Sequence, residues 1–155
     1  MKIEIKHRTT NQIIISGDYE STKDCLEKNR DADLGGADLR RADLGGAYLG
    51  GADLRRADLR GADLGDAILR RADLRDAYLG DAKNYRDSHE MFMEIVRRQK
   101  VSTFTELEWS AIAQITIHRL CWSSIKKRFS KVMPHIFQVL ADDGFNEWLD
   151  YWKTC

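Results

Sequence analysis

The side chains best suited to metal or nucleophilic chemistry stand in the segment HRLC, where His118 and Cys121 are three residues apart. On a helix this spacing places both side chains on one face, where they could share a metal ion. A protein metal site needs further ligands, but the other histidines stand alone in separate segments: His7, His89 and His135. We therefore expect His118 and Cys121 to be core or boundary residues, and we expect neither a metal nor a cofactor.

The rest of the sequence offers no other constellation for catalysis. It contains no ordering of serine, histidine and aspartate, no phosphate-binding loop and no pair of carboxylates that stands out from chance. The three cysteines, Cys25, Cys121 and Cys155, are odd in number and far apart, which indicates reduced thiols, with Cys121 inside the protein. We do not expect the chain to be an enzyme.

The 25 basic and 25 acidic side chains give a formal net charge of zero, so the whole molecule has no attraction for nucleic acid or for an anionic membrane. The one basic run, IKKRFSK, contains Lys126, Lys127, Arg128 and Lys131. It could contact phosphates, but a solvated helix face explains it equally well. No apolar run approaches the ~20 residues of a membrane span, and the start MKIEIKHRTT lacks the apolar stretch of a secretory signal. We expect a cytoplasmic location, without membrane binding or direct nucleic-acid binding.

A five-residue repeat fills the chain from residue 31 to residue 82. On a helix each leucine would turn by about 140° from the last, and in a straight strand successive leucines would point to opposite faces. The leucines share one interior only if the backbone turns a corner after each one, and nine of the eleven glycines occupy the two places after a leucine. The ten predicted core leucines, each preceded two places earlier by alanine, are Leu34, Leu39, Leu44, Leu49, Leu54, Leu59, Leu64, Leu69, Leu74 and Leu79.

These units, as in ADLRRADLRGADL between Ala52 and Leu64, resemble the A(D/N)LXX consensus of the pentapeptide-repeat proteins. The resemblance covers Ala32 to Leu79 and implies a β-solenoid, a right-handed quadrilateral β-helix with four units per coil and about two and a half coils. Family members of known function include DNA-mimicking inhibitors or protectors of type II topoisomerases, and most members have no assigned activity. The leading MKIEIK segment is similar to the N-terminal cap of small bacterial and phage-encoded members.

Two further regions flank the repeats, which predicts three domains, at residues 1–30, 31–82 and 83–155. In the first, KIEIK and QIIIS predict a β-hairpin, followed by a short helix with Ser21 as its N-cap. The third is an α-helical domain. Its capping residues predict one helix from Asp87 or Ser88 through Gln99, one from Thr105 continuing toward Lys131, one beginning at Pro134 and a last one in EWLDYW.

With four units to a coil, residues twenty apart stack, so the outward residue before each leucine belongs to one of four faces. The third face is acidic and carries Asp43, Asp63 and Asp66. On the fourth face Tyr48 and Ile68 replace aspartate, beside Arg70 and Arg71. The aspartates fit a solvated surface on which carboxylates bond nearby backbone at turns, whereas an exposed apolar pair predicts a contact surface for the protein's own segments or for a partner.

The sequence therefore predicts a non-enzymatic module that binds a protein, for example as an inhibitor of a bacterial or host protein, through the fourth face together with the helical domain. One alternative is a DNA mimic that binds a type II topoisomerase or a defence nuclease through the acidic face. Eight arginines among the eleven aspartates of residues 31–82, and a rise of about 12 Å, weigh against it. A second alternative is a structural homo-oligomer, a dimer through Trp148, Tyr151 and Trp152 of the C-terminal helices, although these side chains would equally complete the helical core.

Overall fold

The computed structural model describes residues 1–154, which divide into two compact units, one formed by Met1–Met91 and the other beginning at Phe92. The first unit contains a β-hairpin, one α-helix and the repeats, and the second consists of helices with short connections. The boundary between the units falls inside a helix, later than the change in composition at residue 83. The division into three domains stays a prediction.

The N-terminal hairpin follows from the alternation of apolar and polar residues. Strands β1 (Lys2–Lys6) and β2 (Ile13–Asp18) pair antiparallel, with Ile5 opposite Ile15 and both side chains buried. Helix α1 (Thr22–Lys28) follows, and the Ser21 hydroxyl accepts the Asp24 amide at 3.1 Å as its N-cap. Two side chains of α1, Cys25 and Leu26, are buried, so the helix contributes to the core of the first unit.

Each repeat ends in a tight turn that follows its leucine. In all ten units the leucine carbonyl accepts a hydrogen bond from the alanine amide three residues later, at 2.8 to 3.2 Å. The second residue after each leucine has a positive φ, between 55° and 76°, but only four of these ten residues are glycine. A non-glycine residue in this left-handed conformation costs about 1 to 2 kcal/mol. The six such residues are Arg41, Arg56, Asp66, Arg71, Asp76 and Asp81.

Residues twenty apart lie side by side through backbone hydrogen bonds. The amide of Leu39 donates to the Asp58 carbonyl at 2.9 Å, the Asp58 amide donates to the Ala37 carbonyl at 2.8 Å, and the same pair of bonds recurs in the units that follow. Parallel bridges therefore join outward residues at this spacing, including Asp43 with Asp63 and Tyr48 with Ile68. Each bridge is isolated, so the hairpin is the only continuous sheet in residues 1–154.

The interior of the repeat region is made of leucine and alanine. None of the ten repeat leucines is more than 3% exposed, and Ala37, Ala47, Ala57 and Ala62 are completely buried. Alanine and leucine alternate along each inward-facing segment, so small and similar side chains make up the interior. The apolar burial of the first unit is therefore spread evenly along the repeats.

The second unit contains most of α2 (His89–Arg97) and all of α3 (Glu106–His118), α4 (Trp122–Phe129), α5 (Met133–Asp142) and α6 (Glu147–Thr154). A short 3-10 turn, Val101–Thr103, precedes α3. The Ser88 hydroxyl accepts the Met91 amide at the start of α2, and Pro134 lies in the first turn of α5. None of the helices among the described residues is both long and apolar enough to cross a bilayer.

Helix α3 begins as its sequence predicts but ends early. Thr105 and Glu108 form a capping box, in which the Thr105 hydroxyl accepts the Glu108 amide and the Glu108 carboxylate accepts the Thr105 amide. The expectation of one helix from Thr105 toward Lys131 is wrong. The chain leaves α3 after His118 because Arg119 takes a left-handed conformation with φ 46°, and α4 starts at Trp122.

Aromatic rings fill the core of the second unit. The side chains of Phe92, Trp122, Phe137 and Trp148 form a cluster in which the contacting ring centroids lie 5.5 to 6.3 Å apart. Trp109, a candidate core residue of α3, is only partly buried, and its indole N–H donates to the Val101 carbonyl at 2.9 Å. The packing of a few large side chains therefore holds these helices together.

Candidate functional site

The outward aspartates of the repeats bond the backbone of their own turns. In seven units the aspartate before the leucine accepts a hydrogen bond from the amide two residues later. This side-chain bond stabilises the start of each turn, which is the usual role of aspartate at such positions. The seven residues are Asp33, Asp38, Asp43, Asp53, Asp58, Asp63 and Asp73.

Four of these aspartates also bind an arginine two residues later. The guanidinium of Arg60, for example, donates to both carboxylate oxygens of Asp58, at 2.8 and 2.6 Å. Hydrogen bonds from the arginine hold the pKa of each of these four aspartates below its usual range. The acidic charge on these columns is therefore neutralised locally. The pairs are Asp38 with Arg40, Asp53 with Arg55, Asp58 with Arg60 and Asp73 with Arg75.

The acidic face consists of Asp43, Asp63 and Asp66, and none of these aspartates has an arginine two residues later. Asp43 and Asp63 are joined by a parallel bridge, and Asp66 lies at a turn with φ 55°. The carboxylate of Asp63 accepts the Asn84 amide group at 2.8 Å, and this bond, with the Gly65 amide, lowers its pKa. A further bridge joins Asp63 to Lys83, so the column Asp43, Asp63 ends in a cation.

The fourth face, defined by Tyr48, Ile68, Arg70 and Arg71, departs from this pattern. Tyr48 and Ile68 pair with each other across a parallel bridge and are 43% and 47% exposed. The Arg30 guanidinium lies 4.4 Å from the centroid of the Tyr48 ring and covers part of it. An aromatic and an aliphatic side chain thus stand outward, next to each other, where most other units carry a hydrogen-bonded aspartate.

Arg70 differs from the other arginines at its position in the repeat. Five units have an arginine two residues after the outward residue, and in four of them it binds the aspartate there. In the fifth unit Ile68 replaces that aspartate, and Arg70 makes no ion pair with any described residue. Arg70 is exposed next to Ile68, so the fourth face combines apolar area with a guanidinium that is available to a partner.

Two glutamates accept hydrogen bonds from backbone amides on this same face, and the sequence analysis predicted neither contact. The Glu27 carboxylate accepts the Tyr48 amide at 2.8 Å, and the Glu90 carboxylate accepts the Arg71 amide at 3.1 Å. Glu27 belongs to α1 and Glu90 to the first turn of α2. A buried or partly buried amide needs such a partner. The only signal in the sequence is that each glutamate lies in a helix next to one end of the repeats.

Tyr78 is a third outward residue that is not aspartate, but its environment differs from that of Ile68. The Arg8 guanidinium lies 4.1 Å from the centroid of the Tyr78 ring and donates to its hydroxyl at 3.0 Å. Arg8 also donates to the Arg56 carbonyl. The chain itself therefore provides a partner for Tyr78 in the segment that follows β1.

The predicted interior position of Cys121 is wrong, and so is the prediction that His118 is a core or boundary residue. Both are exposed, because α3 ends at His118 and Cys121 precedes the first residue of α4. Hydrogen bonds from Ser123 and Ser124 lower the pKa of Cys121 to about 7, whereas burial raises the pKa of Cys25. Cys155 lies outside the described residues. Within residues 1–154 no three histidine, cysteine, aspartate or glutamate side chains form a metal-binding group.

The aromatic residues near the C-terminus take different places. Trp148 is completely buried in the ring cluster, so in this conformation it completes the core and is not available to a second molecule. Tyr151 and Trp152 are partly buried, and the Trp152 ring lies 5.6 Å from that of Phe137. In the basic run, Lys126 donates to the Trp152 carbonyl, whereas Lys127, Arg128 and Lys131 are exposed.

Comparison with known proteins bears on the repeats alone. Residues 37–76 match the family of pentapeptide repeats, in eight copies. No curated protein matches the chain. Proteins of this family generally mediate protein interactions and are generally non-enzymatic. With ten such units in sequence, a turn after every leucine and backbone hydrogen bonds between residues about twenty apart, the chain contains a pentapeptide-repeat region.

Proposed function

We propose that residues 31–82 form a short right-handed quadrilateral β-helix, the β-solenoid that the repeats imply. Two observations support it: the backbone bonds between a residue and the one nineteen later, and the turn after every leucine. Four turns and four inward leucines then complete one coil of twenty residues. Such a coil presents four outward columns on a rigid backbone, which suits a binding surface better than a catalytic cleft.

We propose further that the protein binds another protein through the fourth face. The observation that supports this is the pair formed by Ile68 and Arg70. The other arginines at this repeat position bind an aspartate, and Ile68 removes that partner and exposes apolar area instead. The exchange costs a hydrogen bond and an ion pair within the fold, and a partner protein that contacts both side chains recovers that loss.

The chemistry of the face defines the partner surface. Tyr48 and Ile68 would contact apolar or aromatic side chains of the partner. Arg70 and Arg71 would bind its carboxylates, because guanidinium and carboxylate groups have matching geometry. Arg30 over the Tyr48 ring adds a third cation to the same side. The partner is therefore a protein with an apolar patch that is flanked by aspartate or glutamate.

The test is quantitative capture of partners by the wild type and by the double variant Tyr48→Asp, Ile68→Asp. We expect the variant to lose the captured partner while Asp43→Asn, Asp63→Asn, a double change at the stacked positions of the acidic face, retains it. A double variant that retains every partner would remove the fourth face from consideration. Loss of the partner only in the acidic-face variant would instead support the DNA mimic.

A stability measurement separates lost binding from lost folding. Ile68→Asp restores the residue found in most units, so its carboxylate can bind the Arg70 amide and guanidinium. We expect the free energy of unfolding to rise by about 0.5 to 1 kcal/mol. A variant that is more stable and yet fails to bind assigns the lost binding to the surface and not to misfolding.

The two alternatives have less support. The acidic face has only three aspartates, Asp43, Asp63 and Asp66, and Lys83 ends the column of Asp43 and Asp63, so the surface offers little phosphate-like charge. A homodimer through the C-terminal helices would have to use Tyr151 and Trp152, because Trp148 is buried. Light scattering of the wild type over a range of concentrations, and of Trp152→Ala, tests the dimer directly.

A further inference from the structure

A second candidate surface lies on the second unit, along helix α3. Leu107 of α3 is 67% exposed. It borders a groove that continues past Ala111 and Gln114 of the same helix to Phe129 at the end of α4 and Val132 just before α5. Ala111 is buried, and Phe129 and Val132 are partly buried, so the floor of the groove is apolar.

The far side of the groove is basic. Arg128 and Lys131 line it, both are exposed, and neither makes an ion pair with any residue from 1 to 154. No aspartate or glutamate lines the groove. A basic rim beside an apolar floor selects a ligand that combines apolar side chains with negative charge.

We propose that this groove binds an acidic amphipathic helix of a partner protein. From Leu107 to Gln114 the groove follows α3 for about 10 Å, at 1.5 Å per residue, which is two helical turns. The walls are helices and a turn and offer no free strand edge, so an extended peptide would leave its backbone groups unpaired, whereas a helix pairs its own. Apolar residues one turn apart would contact Leu107, Phe129 and Val132, and a flanking aspartate or glutamate would pair with Arg128 or Lys131.

Charge argues against the other occupants. A second copy in a two-fold arrangement would bring the same Arg128 and Lys131 toward this rim, and like charges would repel. Nucleic acid would use the cations but would leave Leu107 and the apolar floor exposed to water. This surface lies in a different unit from the fourth face, and its test involves none of the residues of that face, so either proposal can fail alone.

The test uses synthetic helical peptides of about 16 residues, a length that forms two or more stable turns when helix formers predominate. One peptide carries leucines at i, i+3, i+4 and i+7 with glutamates on both flanks, the second replaces the glutamates by lysines, and the third keeps the composition with the leucine order scrambled. We expect the full-length protein to bind the first at least tenfold more tightly than the others. Amide chemical-shift changes should centre on Leu107, Gln114 and Val132.

Matched variants assign the binding to the groove. Leu107→Glu should weaken binding of the acidic peptide by about tenfold or more. Val101→Glu, the same kind of change at a residue that is 83% exposed and outside the groove, should leave this binding unchanged. Arg128→Glu should weaken binding of the acidic peptide several-fold. Lys127→Glu, on the same helix but not lining the groove, should change this affinity little.

Three results would overturn the proposal. Equal binding of the acidic and basic peptides would show that the rim does not select charge. A single-stranded oligonucleotide that competes with the peptide and depends on Arg128 but not on Leu107 would assign the groove to nucleic acid. A wild type whose mass doubles with concentration, and which Leu107→Glu keeps monomeric, would assign it to a second copy. Circular dichroism of each variant checks that the fold is retained.

Discussion

The repeats and the helical unit are stabilised in opposite ways. In the repeats the same small contacts recur in every unit: a buried leucine, a turn bond and two backbone bonds to residues about twenty away. In the helical unit four rings meet once, in one cluster. A repeating structure spreads its stability over many equivalent contacts, so single substitutions at its surface are tolerated. The substituted side chains are then available for binding. A unique cluster concentrates its stability in a few side chains.

The largest expected effect is on the ring cluster. Trp148→Ala removes a completely buried indole and should lower the free energy of unfolding of the helical unit by about 3 to 5 kcal/mol. All four tryptophans, Trp109, Trp122, Trp148 and Trp152, lie in this unit, so tryptophan fluorescence during denaturant unfolding reports on it alone. The control Trp152→Ala, at a partly buried position, should cost about 1 kcal/mol. Equal losses in the two variants would mean that the cluster is not the centre of this unit.

A smaller effect is expected at the turns, where backbone conformation and not side-chain packing is tested. Gly36→Ala should cost about 2 to 3 kcal/mol, because φ is 70° and the added Cβ would lie 2.3 Å from the His7 ring nitrogen Nε2. His7 cannot move away easily, since its Nδ1 accepts the Thr9 and Thr10 amides. Gly51→Ala has φ 76° but no atom within 4 Å of the added Cβ, so it should cost about 1 kcal/mol.

Unfolding of both glycine variants, followed by the far-ultraviolet dichroism of the whole chain, checks this order. If Gly51→Ala is the more damaging variant, contact with the N-terminal segment contributes nothing to the first repeat. If both variants are neutral, the turns are not held in the left-handed conformation, and the comparison between the two regions fails.

The smallest expected effect concerns the surface aspartates and depends on pH. Asp58→Asn should cost about 1 to 2 kcal/mol at pH 7, because this nearly buried carboxylate accepts two bonds from Arg60. Asp53→Asn, at an exposed pair with Arg55, should cost less than about 1 kcal/mol. Arg60 lowers the pKa of Asp58 from its ordinary 3.8, so the stabilisation is complete well above that value and is lost as the pH falls through the lower, folded-state value.

Denaturant unfolding of the wild type and of both aspartate variants at pH 7 and at pH 2 measures this dependence. The difference between the wild type and Asp58→Asn should shrink at the lower pH, since protonation removes the charge of the wild-type carboxylate and the asparagine variant has no charge to lose. A difference that stays constant with pH would show that the charge of Asp58 does not contribute, and that its stabilisation arises from packing alone.

The repeats were predictable from the sequence because their spacing has a single physical solution. Leucine at every fifth position excludes a helix and a straight strand, and it places a turn after each leucine, where all ten turns are found. The stacking of Tyr48 on Ile68 follows from the same count of twenty. The role of the aspartates was also accessible, because aspartate commonly bonds the amide two residues later.

The helical unit was predictable only where a cap marks a helix end. The capping box at Thr105 and the proline at the start of α5 were readable, but the end of α3 was not. Arg119 takes a left-handed conformation that arginine rarely favours, so nothing local signals the break. The error about Cys121 has the same origin. The predicted helix would contain Cys121, whereas in the structure Cys121 is exposed and immediately precedes α4.

By itself, the sequence determined the turn after every leucine, the buried row of leucines and which outward residues share a column, because a period of five leaves one way to hide the leucines from water. Only the tertiary structure decided which outward side chains find a partner within the chain. Arg8 reaches Tyr78, and Glu27 and Glu90 reach the amides of Tyr48 and Arg71, over separations of 19 to 70 residues. Such contacts depend on where distant segments meet, and no local pattern of residues specifies that.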